Sequence, residues 1–164
     1  MNEFFIINNY LKKLVKKNTN ALNLSDDIFL DKKKKIAISI DTYVHGVHFL
    51  SLDPNKFLKR ILRASLSDLY AKGINPSFYF LSLSVNKKII TNIWLKKLTN
   101  ILKNEQKKFN IHLSGGDIVF SKKLNVSITV LGYPKNKPIL RSGSNVNDDV
   151  YITGDVGESY LGLK

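Results

Sequence analysis

The sequence contains no cysteine, which excludes a disulfide scaffold, thiolate zinc or iron–sulfur sites and a cysteine nucleophile. No apolar run approaches the roughly 20 residues needed to cross a bilayer. The N-terminal stretch sets its lysines after the apolar residues and lacks a small-residue cleavage site, so it does not read as a secretory signal. A soluble, cytoplasmic protein with no membrane partner is the expectation. Arginine is scarce: Arg60, Arg63 and Arg141 are the only three. Arginine is the side chain suited to bidentate recognition of phosphates and bases. The net charge of +13 therefore argues only weakly for a nucleic-acid partner, because it comes from lysines in short runs such as Lys32 to Lys35. Acids are scarce as well, 13 against 26 basic residues. Several stand at the ends of apolar runs rather than on polar faces: Asp26-Asp27, Asp41, Asp68 and Asp117. A lysine-rich chain that keeps acids at such places has a use for them, and one use is binding hard cations.

With 164 residues, 43% of them hydrophobic, the chain is long and apolar enough for one domain with a real core. Glu3 to Lys17 shows helical spacing of Phe4, Ile7, Leu11, Leu14 and Val15. Ile28 to Asp31 and Ile36 to Thr42 read as two short strands joined by the lysine run. Pro54 opens a helix over Asn55 to Lys72 that Gly73 closes. Ser77 to Val85 reads as a strand, Thr91 to Phe109 as a helix and Ile111 to Ser114 as a strand. Asn125 to Tyr133 alternates as a strand. A polar connector follows, and then Val150 to Thr153 reads as a strand and Gly157 to Lys164 as the first turn of a helix. This pattern predicts an α/β (α+β) fold, a small mixed sheet with helices on one face. Residues 1–135 make the main domain, 136–148 a connector and 149–164 the start of another domain.

Five motifs follow in order: Ser25-Asp26-Asp27; Ser39-Ile40-Asp41-Thr42-Tyr43-Val44-His45-Gly46-Val47-His48-Phe49; Ala64-Ser65-Leu66-Ser67-Asp68-Leu69-Tyr70-Ala71-Lys72-Gly73; Ser114-Gly115-Gly116-Asp117; and Arg141-Ser142-Gly143. In this order and with these gaps they resemble the thiamine-monophosphate kinases, in the family that also contains aminoimidazole ribonucleotide synthetase and selenophosphate synthetase. The resemblance covers the family's N-terminal domain and the first elements of its C-terminal one. It implies an N-terminal ATP- and magnesium-binding domain whose sheet joins a second subunit's in a barrel-like homodimer. The implied reaction is transfer of the γ-phosphoryl group of ATP to thiamine monophosphate, giving thiamine diphosphate.

That acceptor is already an anion, so no base has to remove a hydroxyl proton. The obstacle is bringing two charged phosphates together, a task for several Mg2+ ions held by dispersed oxygen ligands. Carried over position by position, the resemblance implies magnesium ligation by Asp27, Ser39, Ile40 (through its backbone), Asp41, Asp68 and Asp117. It implies a thiamine-phosphate contact at His48 and ATP contacts at Gly116, Asp117 and Arg141. The chain departs from the family forms at Ser25, Ile40, Ser65 and Ile118. Two other readings remain: a non-catalytic dimerising remnant of such a kinase, or a related ATP-dependent synthetase with a different acceptor.

Overall fold

The structure is a computed structural model that describes residues 2–152, 154 and 156–157. Five strands form one mixed sheet: β1 (Phe29–Asp31), β2 (Ile36–Val44), β3 (Pro76–Val85), β4 (His112–Phe120) and β5 (Asn125–Gly132). Their spatial order is β1-β2-β5-β3-β4, with only the β3–β4 pair parallel. Alternation along the strands puts Ala37, Ser39, Tyr79, Leu81, Leu83, Val126, Ile128 and Val130 in the interior. Their neighbours Ile40 and Phe80 face the other way and are exposed. One face of the sheet is thus covered by helices and the other is open.

The covering layer begins with α2 (Pro54–Tyr70), following the short N-terminal α1 (Glu3–Asn9). Asp53 caps α2 by accepting the Asn55 amide, Pro54 supplies a preset φ at its start, and Gly73, at φ +71°, lets the chain leave it. Its stripe of Phe57, Leu58, Ile61, Leu62, Leu66 and Leu69 packs on β2, β5 and β3. α3 (Asn92–Phe109) lies against α2. Thr91 caps it, and Asn110 closes it in the left-handed conformation. Arg63 of α2 clasps Glu105 of α3 at 2.6 and 2.9 Å, which satisfies a carboxylate that is otherwise buried.

Three expectations need correction. The first helix stops at Asn9 instead of running to Lys17, and a 3-10 turn at Leu11–Lys13 follows. None of its side chains is buried and only Ile7 is half-buried, so its apolar stripe gains little packing energy, and the Asn9 side-chain amide bonds back to the Phe5 carbonyl. The strand expected at Ile111 to Ser114 runs on to Phe120, because Gly115 and Gly116 lie within it. A Cβ on Gly116 would stand 1.9 Å from the Leu81 carbonyl oxygen, so only glycine lets β4 approach β3 there. Val150 to Ile152 are exposed and form no strand; Thr153 and most of the helical turn expected over Gly157 to Lys164 lie outside the described residues. No helix among the described residues is long and apolar enough to cross a membrane.

Candidate functional site

β1 is only three residues long, so β2 projects well past it. The antiparallel register sets Phe29 opposite Ile38. Extended two residues outward, that register would set Asp27 opposite Ile40, and Asp27, Ile40 and Asp41 line one cavity. Asp41 shares the helix-facing side of β2 with Ser39 and Tyr43, where α2 presents Asp68. The result is a cavity of about 560 Å3 lined by Asp26, Asp27, Ile40, Asp41, Asp68 and Arg141, with Glu3, Phe4, Ile7 and Asn8 of the N-terminal segment across from them. Acids from three separate stretches of sequence therefore converge.

Each carboxylate has its own environment. Ser39, itself buried, donates to Asp68 at 2.5 Å. Burial pushes the Asp68 carboxyl above its ordinary range, and the negative charges of Asp41 and Asp27 push it further; the Ser39 hydroxyl and Lys72 only partly oppose this. Asp41 accepts the Tyr43 hydroxyl at 3.0 Å. Arg141 bonds Asp27 at 2.5 Å, an exposed pair of small energetic worth. Among the described residues Asp41 and Asp68 have no ion-pair partner.

An all-oxygen donor set of three neighbouring carboxylates suits a hard divalent cation. Among the described residues no three acidic or histidine side chains are already gathered tightly enough to enclose one. The acids form an open wall, and phosphate and water oxygens would have to supply the remaining ligands, as magnesium sites commonly require.

The other expected residues fall elsewhere. Ile40 lines the cavity, but its side chain is exposed. Asp117 does not line it. It sits on edge strand β4, in a row with Ser82, Ser127 and Thr42 on the open face. β5 and β3 separate it from β2, about 14 Å across the sheet at ~4.8 Å per strand. Gly116 is beside it. His48, past the end of β2, accepts the Val44 amide on Nδ1 at 3.0 Å, which leaves the proton on Nε2. Arg60 donates to the His48 carbonyl.

One anchor escaped the sequence reading. Asp26 is a structural companion to Asp27: its side chain is only 4% exposed and pairs with Lys72 at 2.8 Å, itself 6% exposed. It also accepts the amides of Arg141 and Asp27, and so ties the Arg141 segment to the cavity lip. The available signal was Lys72 itself, two residues past the end of α2 and three past buried Leu69.

Residues 22–133 match the family model described as AIR synthase related protein, N-terminal domain. The chain belongs to this family. Among AIR synthase related proteins, the thiamine-monophosphate kinase of Buchnera aphidicola (subspecies Acyrthosiphon pisum) is 36% identical over 167 residues, covering 98% of this chain and 51% of that protein. The thiamine-monophosphate kinase of Escherichia coli K12 is 31% identical, covering 98% and 50%. The chain spans about half the length of the curated relatives it matches. The crystal structure of thiamine monophosphate kinase from Aquifex aeolicus superimposes with a TM-score of 0.74 at 22% identity, over 88% of this chain and 46% of that one. A structure of AaThiL complexed with AMPPCP and TMP gives a TM-score of 0.72, also at 22% identity, over 88% and 47%. These superpositions show a shared fold.

Proposed function

We propose that this chain forms the N-terminal part of a cytoplasmic, ATP- and magnesium-dependent kinase that phosphorylates thiamine monophosphate to thiamine diphosphate. The observation that carries the reading is the convergence of Asp27, Asp41 and Asp68 on one cavity, with Asp68 held above its ordinary range by burial and by the other two charges. Its sequence similarity to thiamine-monophosphate kinases supports the choice of acceptor.

Divalent ions bound to these acids would neutralise the approaching phosphates and align the attacking and leaving oxygens. The protein's share is placement. Asp27, Asp41 and Asp68 supply oxygens from the bend before β1, from β2 and from α2, and the Ser39 hydroxyl orients Asp68. Arg141 lies at the cavity lip, where its guanidinium can leave Asp27 for a phosphate of higher charge. His48, which does not line the cavity, is the acceptor-phosphate contact by resemblance alone, with Nε2 left available by the Val44 bond to Nδ1. Ser39 and the Ile40 backbone as direct metal ligands, and Gly116 and Asp117 as nucleotide contacts, rest on the resemblance alone. A homodimer is part of the same reading, since Ile40 and Phe80 on the open face are exposed and apolar and invite a covering surface. Residues 136–148 act as the connector to the remainder of the catalytic cleft, whose first residues are 149–164.

The test is titration of the chain with MgATP, followed by assay with thiamine monophosphate. The expected result is measurable MgATP binding that is lost in Asp41→Asn, with turnover at least about 100-fold below that of a full-length relative, since the 164-residue chain spans about half the length of those relatives. Equal MgATP affinity in Asp41→Asn and wild type would overturn the reading.

A further inference from the structure

Two side chains without an assigned role hold one of the three acids in place. Tyr43 stands two residues beyond Asp41 on β2, so both project from the same side of the strand. Its hydroxyl donates to Asp41 Oδ2 at 3.0 Å and lies 3.1 Å from Ser65 Oγ. Ser65 is 1% exposed and sits on α2, where its Oγ also lies 3.2 Å from the Ile61 carbonyl. An ionised carboxylate can only accept, so the single phenolic hydrogen goes to Asp41. Ser65 must then donate toward Tyr43, sharing its hydrogen with the Ile61 carbonyl. The chain of bonds runs one way: Ser65 to Tyr43 to Asp41.

This chain has a counterpart running the other way between the same two elements. Ser39, two residues before Asp41 on β2, donates to Asp68, which is three residues beyond Ser65 on α2. Asp68 is therefore fixed by a hydroxyl bond that crosses from β2 to α2, and Asp41 by one within β2 whose donor is itself tied to α2 through Ser65, so the two carboxylates keep a set relation to each other. The Tyr43 ring is further held by the edge of the His48 ring, with centroids 5.8 Å apart. A phenol also differs from a lysine or arginine in one useful respect. It orients a carboxylate without neutralising it, so Asp41 keeps its full charge for a cation.

We propose that Tyr43, braced by Ser65, is a positioning residue that presents the Asp41 carboxylate for divalent-cation binding. This inference rests on the cation reading given under Proposed function. Partners that orient a metal-binding carboxylate commonly contribute 10- to 100-fold in metal affinity.

The test is direct Mn2+ titration of the 164-residue chain, followed by electron paramagnetic resonance of the free ion, with circular dichroism and thermal melts run alongside. Tyr43→Phe should weaken Mn2+ binding by about tenfold while keeping the wild-type spectrum. Ser65→Ala should weaken it by about threefold, since one link of the bond chain remains. Because Ser65 acts through Tyr43, the double variant should bind no more weakly than Tyr43→Phe alone, a pattern that a merely structural role does not produce. Mn2+ affinity equal to wild type in Tyr43→Phe, or in Ser65→Ala should Tyr43→Phe fail to fold, overturns the inference and leaves the cation reading standing. Independent, additive losses in the double variant also overturn it. Absence of Mn2+ binding by the wild-type chain removes the cation reading, and this inference with it.

Discussion

Asp68→Asn should abolish divalent-cation binding and leave the protein at least as stable as the wild type. The two effects have a single cause. Burial and the charges of Asp41 and Asp27 raise the Asp68 carboxyl above its ordinary range. A folded-state pKa above the unfolded one means that ionised Asp68 costs the folded state stability at neutral pH, and that this cost disappears as pH falls through the raised value. Asparagine removes the charge but keeps the shape, and its amide oxygen can still accept the Ser39 hydroxyl. Mg2+ affinity by calorimetry should fall by at least about 100-fold, beyond the 10- to 100-fold that loss of a partner orienting a ligand costs. The melting temperature at pH 7 should hold or rise by a few degrees. A site kept under electrostatic stress for the sake of binding behaves in this way. A large loss of stability in Asp68→Asn, or unchanged Mg2+ affinity, is the opposite of what the geometry requires.

Lys72→Met should cost on the order of 3 kcal/mol, because it strands Asp26 in a nearly closed pocket. Lys72 and Asp26 pair at 2.8 Å with both side chains almost fully buried. Burial alone would push the Asp26 carboxyl up. The Lys72 hydrogen bond outweighs this, with help from the Arg141 amide, the Lys72 charge and the Asp27 amide, and the net shift is downward from 3.8. A depressed folded-state pKa gives stability that is present above the unfolded value and is lost as pH falls through the folded one. Wild type should therefore lose this contribution on acidification below about pH 4. In Lys72→Met burial prevails and Asp26 shifts upward, so protonation relieves the variant. The gap between urea midpoints, wide at pH 7, should then narrow at pH 3. Adding Asp26→Asn should recover most of the loss at pH 7, since the unpaired charge is gone. The structural effect also reaches the site, because Asp26 holds the backbone of Arg141 at the cavity lip.

What was readable in the sequence follows from which signals are local. α2 and α3 carry their caps and their apolar stripes in adjacent residues, and both form close to the expected bounds. α1 has the stripe but no surface to bury it on, and periodicity cannot reveal a missing partner. Gly115-Gly116 reads locally as a turn. Its reason for being glycine is the approach of Leu81, which is more than thirty residues away along the chain, so β4 emerged longer than expected. The acids were conspicuous because they are scarce in a lysine-rich chain, and the β1–β2 register gathers Asp27 and Asp41 near Asp68. Strand order, which no local pattern encodes, sends Asp117 to the far edge of the sheet. Tyr43 escaped notice for a similar reason. In sequence it is an ordinary strand aromatic, and only the fold brings Ser65 to its hydroxyl.

The most direct measurement is anomalous diffraction from crystals of the protein soaked in Mn2+, which marks ion positions independently of any assay. Peaks within about 2.0–2.6 Å of carboxylate oxygens of Asp27, Asp41 and Asp68 are the predicted result. Ions bound only at unrelated surface acids such as Asp148 and Asp149, with this cavity empty at saturating Mn2+, would contradict the account.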